Sequence, residues 1–180
     1  MNKQQLKNAI PFKQIGFTMT ELLMALAVAG VVVAMAIPTF KTMINTSQMN
    51  SQTNRILEAL NIARSKAISS HWNAIVAPTT SGNWNGDIQV FLDKNSNNAV
   101  DTGELLQTFN DPTDLVTINS TYPSRITFTP DGRGVAGSFN VCTPSSITTP
   151  DYRRIIVALT GRIRVQTATE TGVAYSSTCP

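Results

Sequence analysis

From Leu22 to Ile37 the chain reads LLMALAVAGVVVAMAI, sixteen residues without a charge and with Gly30 as the one interruption. At a rise of about 1.5 Å per residue the run spans roughly 24 Å as a helix, and Phe17 to Thr20 carry it towards the ~30 Å of a hydrocarbon core. It can therefore sit in a bilayer. Lys3, Lys7 and Lys13 precede it with no acid among residues 1–16, so the positive-inside rule places those residues in the cytoplasm and everything after Pro38 across the membrane. A lone carboxylate, Glu21, stands at the mouth of the run with no partner evident in the sequence, at a cost of up to a few kcal/mol. A cleaved secretory signal, for which Ala34-Met35-Ala36 offers a site, leaves Glu21 unexplained, and so does a plain uncleaved anchor.

Gly16-Phe17-Thr18-Met19-Thr20-Glu21 ahead of the apolar run, with Ala36-Ile37-Pro38 closing it, resembles the class III signal of type IV pilins and type II secretion pseudopilins. The resemblance implies that residues 1–16 are a leader removed by prepilin peptidase. That enzyme would cut between Gly16 and Phe17 and methylate the new amino terminus at Phe17, and the helix would stay in the product. An α-amine at Phe17, with an ordinary pKa near ~7.7, is a cation able to neutralise Glu21 of a neighbouring subunit in an apolar filament core. Glu21 also falls in the first turn, where the helix dipole favours an anion.

Loss of such a leader changes the charge argument. The chain has 14 basic and 11 acidic residues, and without the three leader lysines it is formally neutral. The neutrality is segregated: Asp87, Asp93, Asp101, Glu104, Asp111 and Asp114 face the single base Lys94 between Asn83 and Asp114, whereas six arginines lie between Ser120 and Glu170 against Asp131, Asp151 and Glu170. That asymmetry hints at an anionic partner for the later part. Cys142 and Cys179, on the oxidising side of a membrane, read as one disulfide tying the C-terminus to an internal strand, with free thiols as the alternative. His71 is the one histidine, which leaves no zinc set.

Pro38 ends or kinks the membrane helix, and helical periodicity resumes after it. Phe40, Met43, Ile44 and Ser47, then Ile56, Leu60, Ala63 and Ala67, follow steps of three and four. One long helix is expected from Phe17 to about Ser70, roughly 80 Å in length, with its second half amphipathic. From Trp72 on, short apolar runs alternate with turn residues. Strands are expected at Ala74–Ala77, Ile88–Leu92, Leu105–Phe109, Leu115–Ile118, Ile126–Thr129, Ser138–Cys142, Arg154–Ala158 and Ile163–Thr167. The fold class is α+β, a helical stalk on a small antiparallel β-sheet domain. Its expected parts are the leader (1–16), a transmembrane or filament-core helix (17–40), an amphipathic helical half (41–70) and a periplasmic β domain (71–180).

Three further stretches, Ala59 to Ile68, Phe91-Leu92-Asp93 through Asn95 and Asn97 to Gly103-Glu104, and Arg153 to Val165, are similar to the FimT/GspH group of minor pilins and pseudopilins, most of all to FimT. The resemblance implies a type IV pilin-like fold, anchored in the inner membrane by a single pass and carried in a pilus after assembly. It also implies other pilins and prepilin peptidase as partners.

Three patterns carry chemistry to be weighed. Asp93, Asn95, Asn97, Asp101 and Glu104 fall at the oxygen-ligand positions of a twelve-residue calcium loop, with Asn98 where the sharp turn wants glycine. Flanking strands in place of helices favour instead an Asx-rich hairpin loop bonded to its own backbone; calcium is the one cofactor to consider, and none is required. Gly132-Arg133-Gly134-Val135-Ala136-Gly137 spells a dinucleotide fingerprint but opens a strand where that site needs a helix. Nothing in the sequence suggests an enzyme.

Gly161-Arg162-Ile163-Arg164 is the third. In a strand, Arg162 and Arg164 project from one face while Ile163 and Val165 turn into the core. Guanidiniums about 7 Å apart suit successive phosphates of one nucleic-acid strand. Gly161 allows the tight turn that lets a backbone approach, and Arg153 and Arg154 extend the patch. In the FimT branch this element is associated with DNA binding in natural transformation. The resemblance thus implies non-specific double-stranded DNA binding, the alternative being a structural subunit of a secretion system or of pilus-assembly initiation.

Overall fold

The computed structural model describes residues 16–111, 116–143, 151–167 and 179. Residues 1–15 of the expected leader, Leu115, and the acids Asp114 and Glu170 lie outside that set. The chain divides into two compact units, Met1–Lys41 and Thr42–Pro180.

Helix α1 (Met19–Ser70) opens on a reciprocal cap. The Thr18 hydroxyl accepts from the Glu21 amide at 3.3 Å, while Glu21 Oε2 accepts from the Thr18 amide and hydroxyl at 2.9 Å each. This is a capping box, Thr-x-x-Glu, in which two otherwise unpaired helix-end donors are satisfied. Glu21 therefore has a partner within its own chain, contrary to the expectation that the sequence offers none. Replacing Thr18 with alanine should cost about 1 kcal/mol of first-turn stability. Amide hydrogen exchange at Glu21 in detergent micelles should accelerate roughly fivefold.

The α1 backbone is helical through Pro38, so that proline does not end the helix. Helix α1 is long and apolar enough to cross a membrane, and Leu22, Leu23, Leu26 and Val32 are all exposed.

In the second unit the apolar stripe starts later than the periodicity indicates. Met43 and Ile44 are exposed, as is Phe40 of the first unit, and burial begins at Met49 and continues through Ile56, Ala59, Leu60, Ala63 and Ala67. Alanines at steps of four give the helix a flat face that lets sheet side chains approach closely. Burying Ile56 and Leu60 stabilises by about 1.5–3 kcal/mol each.

All eight expected strands form, as β1 (Asn73–Pro78), β2 (Ile88–Asp93), β3 (Leu105–Phe109), β4 (Thr117–Ser120), β5 (Ile126–Phe128), β6 (Gly137–Cys142), β7 (Tyr152–Val157) and β8 (Ile163–Thr167). They build two four-stranded antiparallel sheets in place of one: sheet A, ordered β3-β2-β1-β5, and sheet B, ordered β4-β6-β7-β8. Val76, Val90, Ile126 and Phe128 of sheet A share one core with Phe139, Val141, Ile155 and Val157 of sheet B and with the α1 stripe. Trp84 closes that core. Its indole meets Phe139 edge-on at 4.8 Å and donates to the Tyr122 carbonyl at 2.8 Å. Buried Arg55 of α1 donates to the carbonyls of Gly86 and Trp84 at 3.0 and 3.4 Å, holding this loop to the helix. Burial draws the guanidinium's pKa down, and Asp111 and Asp87 push it back.

Candidate nucleic-acid interface

The β7–β8 hairpin carries the expected arginines, and its register decides which of them share a face. Cα partners across it are Val157↔Ile163, Ile156↔Arg164, Ile155↔Val165, Arg154↔Gln166 and Arg153↔Thr167. Opposed residues point to the same side of a sheet. Ile163 thus lies on the core side with Val157 and packs against the core, and Arg164 lies outside. Val165 is on the core side too but remains 36 % exposed, because β8 ends the strand order of its sheet and has a paired strand on one side only among the described residues. The expectation that Val165 joins the core is corrected.

Arg154 and Arg164 occupy the outer face as diagonal neighbours, a relation that leaves backbones about 7–8 Å apart. Arg153 occupies the opposite face with Ile155 and Val157. The two adjacent arginines therefore diverge, and Arg153 does not extend the patch. Arg154 is half-buried and donates to the Ser138 hydroxyl at 3.3 Å. Arg162 and Arg164 are exposed, and among the described residues neither has an acid within 4.0 Å.

Gly161 has a structural reason to be glycine. It ends the hairpin loop at φ 73°, the left-handed region where other residues are disfavoured, and a Cβ placed there would overlap the Gly132 carbonyl. The backbone that approaches it is the protein's own. Gly132 is part of the expected turn before β6, confirming turn over helix for the fingerprint-like segment.

Charge follows topology. Asp87, Asp93, Asp101, Glu104 and Asp111 lie in and beside β2 and β3 of sheet A, whereas Arg153, Arg154, Arg162 and Arg164 lie in and beside β7 and β8 of sheet B. The residues 93–104 form a loop bonded to itself. Asp93 accepts from the amides of Asn97 and Asn98 at 3.0 and 3.2 Å, and Glu104 from those of Lys94 and Asp101 at 2.9 and 3.3 Å. Asn95 and Asn97 both donate side-chain amides to Asp101 at 2.7 Å. Asn98, at φ 60°, adopts the left-handed turn that its position demands. Among the described residues no three His, Cys, Asp or Glu side chains converge as metal ligands. A calcium ion would have to displace these bonds, so millimolar calcium should leave the melting temperature of the unit Thr42–Pro180 unchanged; a rise of several degrees in a thermal scan would instead establish a calcium site.

Cys142 and Cys179 form a disulfide with Cα atoms 5.9 Å apart. With Tyr152 they make a buried cluster separate from the main core.

The model of the family described as type II transport protein GspH matches residues 52–161. The chain belongs to the GspH family. A second model, the prokaryotic N-terminal methylation motif, matches residues 11–37, spanning the Gly16–Phe17 junction and Glu21. No curated protein sequence matches the chain. In fold it is similar to the type IV minor pilin FimU of Pseudomonas aeruginosa, at 18% identity and a TM-score of 0.55, covering 67% of this chain and 90% of that one. A second crystal form of FimU gives 0.49 at the same identity.

The architecture is thus the type IV pilin fold, and the family is one of filament subunits, minor pilins and pseudopilins. Membership implies processing by prepilin peptidase and association with other pilins. The family match ends at Gly161, so Arg162 and Arg164 lie just past it, and the arginine pair must be judged on its own geometry. What sequence reasoning missed here is the split between Arg153 and Arg154. Strict alternation from Tyr152, the true start of β7, would have shown it.

Proposed function

We propose that this GspH-family protein is a FimT-like minor pilin that binds extracellular double-stranded DNA without sequence preference and supports DNA uptake in natural transformation. The observation that carries the reading is the pair Arg162 and Arg164, exposed at an edge strand with no acid within 4.0 Å among the described residues. Arg154 stands on the same face. Guanidiniums so placed suit phosphate contacts, which supply affinity and no sequence readout. A formally neutral mature chain makes a single subunit a weak binder, so function draws on several subunits or other pilins acting together.

In this reading the leader stays in the cytoplasm until cleavage after Gly16, Phe17 is methylated, and the unit Thr42–Pro180 faces the periplasm before assembly into the pilus. Glu21 keeps its cap and accepts in addition from the Phe17 amine of a neighbouring subunit. Gel shifts of the Thr42–Pro180 unit with duplex DNA over a salt series test the binding. The described core lies within that unit, so it can be made without the membrane half. No shift at low salt rejects the proposal.

A second reading, a structural pseudopilin of a type II secretion system, is favoured by the matched family description. A gene deletion that blocks secretion but spares DNA uptake would select it.

A further inference from the structure

Two turns of this domain repeat one geometry. In the first, the Thr129 amide donates to the Arg133 carbonyl at 2.9 Å and the Gly132 amide to the Thr129 carbonyl at 2.8 Å. In the second, the Ala158 amide donates to the Arg162 carbonyl at 2.9 Å and the Gly161 amide to the Ala158 carbonyl at 2.8 Å. Each loop ends in a left-handed glycine, at φ 78° for Gly132 and 73° for Gly161, and each glycine is followed by an exposed arginine. This is the three-residue hairpin loop with its glycine bulge, used twice.

The two turns are also in contact. Besides the close approach of Gly161 to the Gly132 carbonyl, the Gly134 amide donates to the Leu159 carbonyl at 3.2 Å. Arg64 of α1 holds both, donating from Nε to the Gly132 carbonyl at 3.1 Å and from Nη2 to the Thr160 carbonyl at 3.3 Å. Chain geometry then limits the Cα atoms of Arg133 and Arg162 to a separation of no more than about 11 Å. That limit corresponds to one or two phosphate steps of one strand at the ~7 Å spacing of successive phosphates.

We infer that Arg133 is a further DNA-contacting residue, the second arm of a paired Gly-Arg interface whose first arm is Arg162, and that Asp131 beside it weakens binding. The inference rests on the DNA reading given above. Arg133 is 68% exposed at the side chain, and its Nε lies 4.0 Å from a carboxylate oxygen of Asp131, itself 58% exposed. An ion pair so open to water is worth little, so a phosphate can compete for the guanidinium. Asp131 stays charged: its bond from the Thr129 hydroxyl, aided by the Arg133 amide and guanidinium, holds the carboxyl below its ordinary range. Neither turn carries an aromatic residue, which removes base stacking and leaves backbone contact, as suits a duplex.

The test is fluorescence anisotropy with a short labelled duplex of random sequence, using the full chain in non-ionic detergent. Arg133→Gln should weaken binding about three- to tenfold and lower the slope of log K against log salt by about one. Arg133→Lys should restore the slope, and Asp131→Asn should tighten binding about threefold. If Arg133→Gln binds like the wild type while the double variant Arg162→Gln/Arg164→Gln loses affinity, the second arm is overturned and the DNA reading stands. If both bind like the wild type, the DNA reading itself is overturned. Unchanged affinity in Asp131→Asn overturns the part given to the acid.

Discussion

The double variant Arg162→Gln/Arg164→Gln is expected to lose about a hundredfold in affinity for duplex DNA at low salt, with a salt slope smaller by about two. Glutamine keeps much of each stem and its hydrogen bonding but removes the charge, so the loss reports counterion release and not packing. Both side chains are exposed and neither is bonded among the described residues, and substitutions of that kind move stability by no more than about 0.5 kcal/mol. The melting temperature of the Thr42–Pro180 unit should accordingly stay where it is. Gel shifts over a salt series, with thermal melts alongside, check both statements. Unchanged affinity would leave Arg162 and Arg164 as solvated surface and return the protein to a purely structural role.

Much of this fold was legible because its signals are local. The steps of three and four around Ile56, Leu60, Ala63 and Ala67 mark the buried helical face, and β-rich runs between turn residues mark all eight strands. What could not be read was how the strands divide. Pairing β1 with β5 and β4 with β6 joins segments remote in sequence, and no local pattern encodes which edge a strand will meet. Phe40, Met43 and Ile44 continue the same helical periodicity yet stay exposed. Periodicity shows that a face is apolar; the sheets, which end their cover near Met49, decide where it is buried.

The candidate site divides in the same way. Exposure of Arg162 and Arg164 and the outward direction of Arg164 followed from strand alternation. The partner of Gly161 did not, since the Gly132 carbonyl comes from a turn nearly thirty positions earlier, although both turns spell Gly-Arg. Glu21 is the opposite case. Thr18-Met19-Thr20-Glu21 is a local capping pattern, readable in the sequence, and it supplies Glu21 with a partner three residues away. The two roles are compatible, because a carboxylate has acceptor capacity for both the Thr18 donors and a cationic amine.

Removal of the Cys142–Cys179 disulfide, by Cys142→Ser with Cys179→Ser, should cost the Thr42–Pro180 unit about 4 kcal/mol, from the loop-closure entropy of two residues 37 positions apart. In a unit of this size that amounts to a fall of roughly 12–20 °C in melting temperature. Two structural reasons add to the entropic one. Cys142 lies in β6, at the centre of sheet B between β4 and β7, and its Cα partner on β7 is the buried Tyr152; Cys179 covers both, so the loss exposes apolar surface on the face that also carries Arg154 and Arg164. The main core of Ile155, Val157 and Phe139 lies on the other side of the sheet and remains, so the reduced unit should still fold. Denaturant unfolding with and without a reducing agent measures the difference. An unchanged midpoint would mean that the chain end holds its place without the bond, and that the cluster around Tyr152 is stable by packing alone.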